Sequence, residues 1–333
     1  MLKTMLCMSG ATIGGFTLAL SPFTVGAQTD TGAVSSYPAK PIRLVVGFTP
    51  GSATDVTARI FAQKFTEAWG IPVAVENVPG VGGAVGVARV AKSPPDGYTL
   101  MYSGNGALTI LPTLQSKPLY DVVRDLIPIS MLLSMPSILA VNNDVPVKTL
   151  QELIAYARTP SRKLSYASPG AGTPQHIAGE LLRSLAGIDL THILYKGANF
   201  TDVIGGRVTM TLQNAGAILP VVRDGRLRGL AVTSLQRSPN MPDLPTFAES
   251  GYPGFEAVSW FALLAPKGTP AAILGKVHQE SMKVIANPEL RARFAQLGLD
   301  ITGKASDEVA AIIKSDIDKW AKVIKDAGIT MSD

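Results

Sequence analysis

Three features of the sequence predict an α/β fold. Strand-like apolar runs alternate with helix-like segments along nearly the whole chain. Gly- and Pro-rich loops stand where one gives way to the other, and the apolar content suffices for a sizeable core. Of 333 residues, 46% are hydrophobic and 17% charged, which excludes a disordered chain. At about 150 residues per domain, the length suggests two domains. The 32 Gly and 24 Pro residues show no period, so a collagen-like chain is excluded. The formal charge is +5, but Lys and Arg are scattered, and no nucleic acid is expected as a partner.

The elements follow in order. Residues 42–48 form a continuous apolar strand, and Thr49 to Ala53 a loop. Val56, Ile60, Phe65 and Trp69 then mark the apolar stripe of a helix that stops at Gly70. A strand over 73–77 leads through the loop 79–83 into a helix of small residues ending near Lys92. Pro94 to Gly97 turn the chain into a strand over 98–102, which ends at the loop Ser103-Gly-Asn-Gly106. Residues 138–141 form a strand, and 149–157 a helix opened by the capping box Thr149…Glu152. A strand over 164–168 passes through Pro169 to Gly172 into a helix near Thr173-Pro174, where Pro suits the first helical position. Strands are expected at 193–195, 208–212, 230–233 and 260–264, and helices from Thr269-Pro270, over 288–297 and over 306–327. This order argues for largely parallel sheets.

The first 27 residues have their own logic. Lys3 precedes an uncharged apolar stretch from Met5 to Leu20, Ser21-Pro22 breaks it, and Val25-Gly26-Ala27 offers a cleavage site. A cleavable signal peptide over 1–27 is therefore expected. The apolar run falls short of the roughly 20 residues needed to span a membrane. Cys7, the single cysteine, lies in this leader, as does Lys3, so cleavage lowers the formal charge by one and removes all thiol chemistry.

Candidate chemistry lies in the loops after strands, where open α/β sheets bind ligands against helix N-termini. Thr49-Pro-Gly-Ser-Ala-Thr-Asp55 fits: Gly51 permits close backbone approach, and N–H groups at 52–55 can hold a carboxylate. The competing reading is a Ser52…Asp55 capping box alone. Gly80-Val-Gly82-Gly-Ala-Val-Gly86 resembles a dinucleotide fingerprint, but no carboxylate follows the next strand, and close helix-sheet packing explains these glycines better. Ser168 to Thr173 repeats the chemistry of the first loop, so the two could clamp both ends of one elongated anion. His176 sits in the first turn of the following helix, where a neutral imidazole is favoured. His176, His192 and His278 have no motif spacing, and no metal site or cofactor is expected. Gln213-Asn214 could donate amides to a ligand or simply face water.

Several motifs together resemble those of Bug-type (TctC-like) receptors, the solute-binding proteins of tripartite tricarboxylate transporters. They begin with Tyr37 to Phe48 and Pro50 to Asp55, and continue with Val75 to Gly83, Pro95 to Leu100 and Gly172 to His176. Tyr195-Lys-Gly197, Leu230 to Ser234, Leu244-Pro-Thr246 and Leu264 to Pro270 complete an ordered set spanning most of residues 37–329.

The resemblance implies a two-lobed, clamshell periplasmic binding protein of type II-like architecture, each lobe a sheet flanked by helices. One lobe would comprise 37–141 with 256–333 and the other 142–255, joined near Ile138–Val141 and Ser259–Leu263. It implies a small organic carboxylate held in the interlobe cleft and delivered to integral membrane transporter subunits. A sensor protein is the alternative partner, and an exported hydrolase using His176 the alternative activity. A monomer that is no enzyme is expected. Phe48, Thr49, Gly51, Ser52, Ala53, Thr54 and Asp55 would line the cleft, with Ser103, Gly104, Asn105, Ser168, Gly172, Thr173, Gln213 and Asn214. Thr49 and Ser52 stand where Pro and Gly are usual in the family. The run after Gly197 is about two residues short. Gln213-Asn214 replaces a common Asp-Asn, which suits a plain carboxylate better than an amino acid.

Overall fold

The computed structural model describes residues 36–115, 117–159, 162–170, 173–195 and 200–329. The leader and Cys7 lie outside them, as does the shortened run at 196–199. The strands are β1 (Ile42–Val46), β2 (Val73–Asn77), β3 (Thr99–Gly104), β4 (Leu126–Met135), β5 (Ser137–Val141), β6 (Leu164–Ser168), β7 (Leu190–Leu194), β8 (Met210–Asn214), β9 (Arg228–Val232), β10 (Ser259–Pro266) and β11 (Asp300–Ala305). Helices of eight residues or more are α1 (Ala53–Trp69), α2 (Ala84–Ala91), α3 (Leu150–Ala157), α4 (Pro174–Ala186), α5 (Ala215–Arg223), α6 (Ala271–Ala286), α7 (Pro288–Gln296) and α8 (Ser306–Ala327).

Local chemistry sets most of the ends. Ser52 caps α1 by accepting the Asp55 N–H, and left-handed Gly70 ends it by donating to Thr66 O at 3.0 Å. Thr149 caps α3 and Thr173 caps α4, each through the N–H three residues on. The anticipated packing role of the glycines also holds: a Cβ on Gly86 would lie 2.8 Å from Gly47 Cα, so helix and strand approach backbone to backbone.

A six-stranded sheet runs β11-β4-β10-β3-β1-β2 and a five-stranded sheet β7-β6-β8-β5-β9. Only Pro136 separates β4 from β5, so one extended segment passes from the first sheet into the second. Proline, with no N–H to give a ladder, marks the break. The chain returns over residues 233–258 to enter β10. Ile138–Val141, placed by the resemblance at the lobe junction, lies in β5 and pairs within the five-stranded sheet. The two passages are tied together. Ser137 N–H donates to Thr233 Oγ1 at 2.9 Å, and Thr233 N–H to Ser137 O at 3.0 Å.

The sheets are mixed rather than largely parallel. β1-β2, β1-β3, β6-β7 and β6-β8 are parallel, whereas every pairing of β4, β5 or β10 is antiparallel. The strands entering from the other sheet reverse direction, and local strand-helix order does not encode this. β4, β11 and α5 were not anticipated: β4 carries Pro128 and two serines within its apolar run, and β11 is polar and half-buried. Each sheet is covered on both faces. Ile42, Leu44 and Val46 of β1 enter one core and Val45 the other, and β5 alternates likewise. α8 serves both sheets, with Val309 and Ile313 in a core of the first and Trp320 and Ile324 in a core of the second.

Candidate functional site

The loop after β1 is held by Asp55. Its Oδ2 accepts the Gly51 N–H at 2.9 Å and Arg59 Nε at 3.0 Å, and its Oδ1 accepts Asn77 Nδ2 at 2.8 Å. Asn77 also donates to Phe48 O at 3.0 Å, which clamps the loop at its start. Burial alone would raise the Asp55 carboxyl. The bonds from Arg59, Gly51 and Asn77 outweigh it and hold the group below its ordinary range. Asp55 thus braces the loop, its side chain 3% exposed and neutralised by Arg59. Phe48 is half-buried and packs on the core of the first sheet. Thr49, Gly51 and Ala53 are exposed, Ser52 half-buried and Thr54 buried. Among the described residues, no hydrogen bond uses the amides of Ala53 and Thr54 at the positive end of α1.

The second loop leads into α4. Thr173 Oγ1 donates to Gly170 O at 2.7 Å and accepts the His176 N–H at 3.3 Å. Ser168 Oγ lies 2.7 Å from His192 Nε2, whose ring stacks on His176 with centroids 4.1 Å apart. Burial, then the neighbouring His192, pushes His176 down to about 4, so it is neutral at pH 7. Gly172 lies outside the described residues.

Strand ends carry the remaining candidates, because neighbouring strands extend β3 and β8 beyond their expected limits. Ser103 and Gly104 sit within β3, opposite Ala262 and Phe261 of β10. Gln213 and Asn214 end β8, opposite Ile138 and Ser137 of β5. The Asn105 amide is committed to the return passage, donating to Val258 O at 2.8 Å and accepting the Trp260 N–H at 3.4 Å. Ser103 Oγ and Gln213 Nε2 are buried and have no partner among the described residues, an uncommon state for polar groups in a native interior.

Sequence reasoning gave Gln175 no role. Its Nε2 reaches Asn214 Oδ1, Ser137 Oγ at 3.2 Å and Ser259 Oγ at 3.4 Å, and Ser259 Oγ donates to Asn214 Oδ1 at 3.2 Å. The first turn of α4 is therefore joined to the starts of both β5 and β10. Partners up to 84 residues apart leave no local signal in the sequence.

A cavity of about 290 Å³ opens beside the first loop. Gly51, Ala53, Val56, Thr57, Met135, Leu297 and Leu299 line it from one side, and Asn214, Gly216 and Ala217 from the second sheet and α5. Gly51, Ala53 and Asn214 are the sequence candidates brought together there. Apart from this cavity, Gly106 after β3 approaches the start of α4: a Cβ on the glycine would lie 3.9 Å from Pro174 Cδ. Asp55, Phe48 and Asn105 have their side chains engaged elsewhere.

Known proteins resemble the chain over most of its length. The family model described as the tripartite tricarboxylate transporter family receptor, TctC, matches residues 57–329. Protein BugT of Bordetella pertussis (strain Tohama I) is 35% identical over 303 residues, 89% of this chain and 92% of BugT. The solved structure of R. palustris Rpa4515 with adipate is 32% identical with a TM-score of 0.76, covering 88% of this chain and 99% of that one. MatC from Rhodopseudomonas palustris with bound malate is 28% identical with a TM-score of 0.73, covering 86% and 100%.

Proposed function

The chain belongs to the tripartite tricarboxylate transporter receptor family, the Bug-type periplasmic solute-binding receptors, and from that premise we propose that it captures a small organic carboxylate between two lobes and delivers it to membrane transporter subunits. One observation carries this reading: a single cavity is lined both by the first turn of α1 and by residues of β8 and α5 from the other sheet. Each lobe is built on one sheet, with the passages at Pro136 and at 233–258 as the hinge. Closing the cleft excludes water, which strengthens hydrogen bonds from the loop amides to a carboxylate.

Relatives bound to adipate and to malate support a carboxylate as ligand. The protein works in the periplasm after loss of its leader. The loop Phe48 to Asp55 provides the backbone donors, and Ser168 to Thr173, Ser103 and Gln213 belong to the same cleft away from the cavity beside α1. No helix among the described residues is long and apolar enough to cross a membrane. His176, buried and neutral against His192, serves the second loop and not catalysis.

A thermal-shift screen of carboxylates tests the reading. A ligand at 100 times its Kd stabilises by about 2.7 kcal/mol. No shift with any carboxylate would overturn it.

A further inference from the structure

The cavity beside α1 is uncharged and mostly apolar. None of its lining residues is charged, and Ala53, Val56, Met135, Ala217, Leu297 and Leu299 form most of its surface. The carboxylate of the adjoining loop, Asp55, is bonded to Gly51 and Asn77 and paired with Arg59. Two of the first-turn amides of α5, opposite α1, are bonded or crowded. The Ala215 N–H already donates to Pro136 O at 2.9 Å, and the Gly216 nitrogen lies against the backbone of Gly298 so closely that a Cβ on Gly298 would collide with it.

We infer that the ligand is a carboxylic acid with one charged group and an uncharged, apolar body. Its carboxylate sits at the first turn of α1, and its body lies against Val56, Met135, Ala217, Leu297 and Leu299. The inference rests on the receptor reading above and narrows it. A second carboxylate placed in this cavity would lose its water and find no cation there. Burying an unpaired charge is far more costly than leaving an apolar wall uncovered. An apolar body gains from the same walls in proportion to the area it covers. The volume stands at the lower end of the range for small-molecule pockets, so it suits a single ring or a short chain.

The test is titration calorimetry of the purified protein with benzoate, hexanoate, malate and tricarballylate, alongside Ala217→Phe. Position 217 is exposed, so the larger side chain fills the cavity without entering a core. The ligand-free melting temperature of the variant checks its folding, and Ala217→Leu replaces it should it fail to fold. Benzoate or hexanoate should bind at least ten-fold tighter than malate or tricarballylate. The variant should weaken the apolar acids at least ten-fold. Tighter binding of malate or tricarballylate would overturn the inference and leave the carboxylate receptor standing, as would unchanged affinity of the variant for the apolar acids. Failure of every acid to bind would overturn both.

Discussion

Asp55 shows how one side chain satisfies two readings of the same sequence. The Ser52…Asp55 spacing suggested either a helix cap or an anion site, and the carboxylate is bound into the loop while no hydrogen bond among the described residues uses the amides of Ala53 and Thr54. Asp55→Ala removes the acceptor for Gly51, Arg59 and Asn77. Because Arg59 remains half-exposed, the loss of stability should be about 1–3 kcal/mol, below that of a fully buried pair. Urea unfolding measures it. Since the folded carboxyl lies below its ordinary range, this contribution is present above that range and disappears as the pH falls through the folded value. His176 gives a second pH effect. Its folded value of about 4 lies below the ordinary 6.5, so the unfolded chain binds more protons between them. Stability should fall on acidification from about pH 6.5 to pH 4, by up to about 1.4 kcal/mol per pH unit. His176→Phe should flatten that part of a melting-temperature profile, and an unchanged slope would refute the assignment. Both residues were legible as candidates in the sequence. Which way each side chain turns was not, because Asn77 and His192 come from other strands.

Among the elements, helices announced themselves better than strands. α1, α3 and α4 carry caps, stops and apolar stripes within a few residues of each other, so their limits follow from local hydrogen bonding. Strands β3 and β8 continue past their apolar runs because β10 and β5 hydrogen-bond to them, and a neighbour of distant sequence leaves no local mark. The start of α5 makes the point energetically. Gly216 packs against Leu297 O and Gly298 so closely that a Cβ would collide with the carbonyl. Gly216→Ala should therefore cost about 1–3 kcal/mol through overpacking, although alanine favours an isolated helix. A variant that melts at or above the parent temperature would show that the two backbones separate freely.

In the whole molecule, the elements of the two sheets also meet away from the passages at Pro136 and 233–258, and Asp300 marks one such place. Its Oδ1 accepts Ser238 Oγ at 2.8 Å and Asn240 Nδ2 at 3.0 Å, which joins β11 of the first sheet to the segment returning from the second. Burial pushes its carboxyl above the ordinary range, only partly offset by those two donors. The folded form therefore binds its proton more tightly, and stability from this group declines as the pH rises through the folded value. Asp300→Asn keeps the acceptor and removes the charge. Its melting temperature should exceed that of the parent at pH 7, with a smaller gain near pH 4. A loss at pH 7 would mean that the charge itself strengthens the contact. The sequence by itself determined the α/β class, most helix limits and the family, because composition, periodicity and capping act over a few residues. Only the tertiary structure decided the mixed strand order, the union of Gln175 with both crossing strands, and the apolar cavity between α1 and α5. Those depend on segments up to about 250 residues apart, and which of them meet is set by burying the faces of both sheets together.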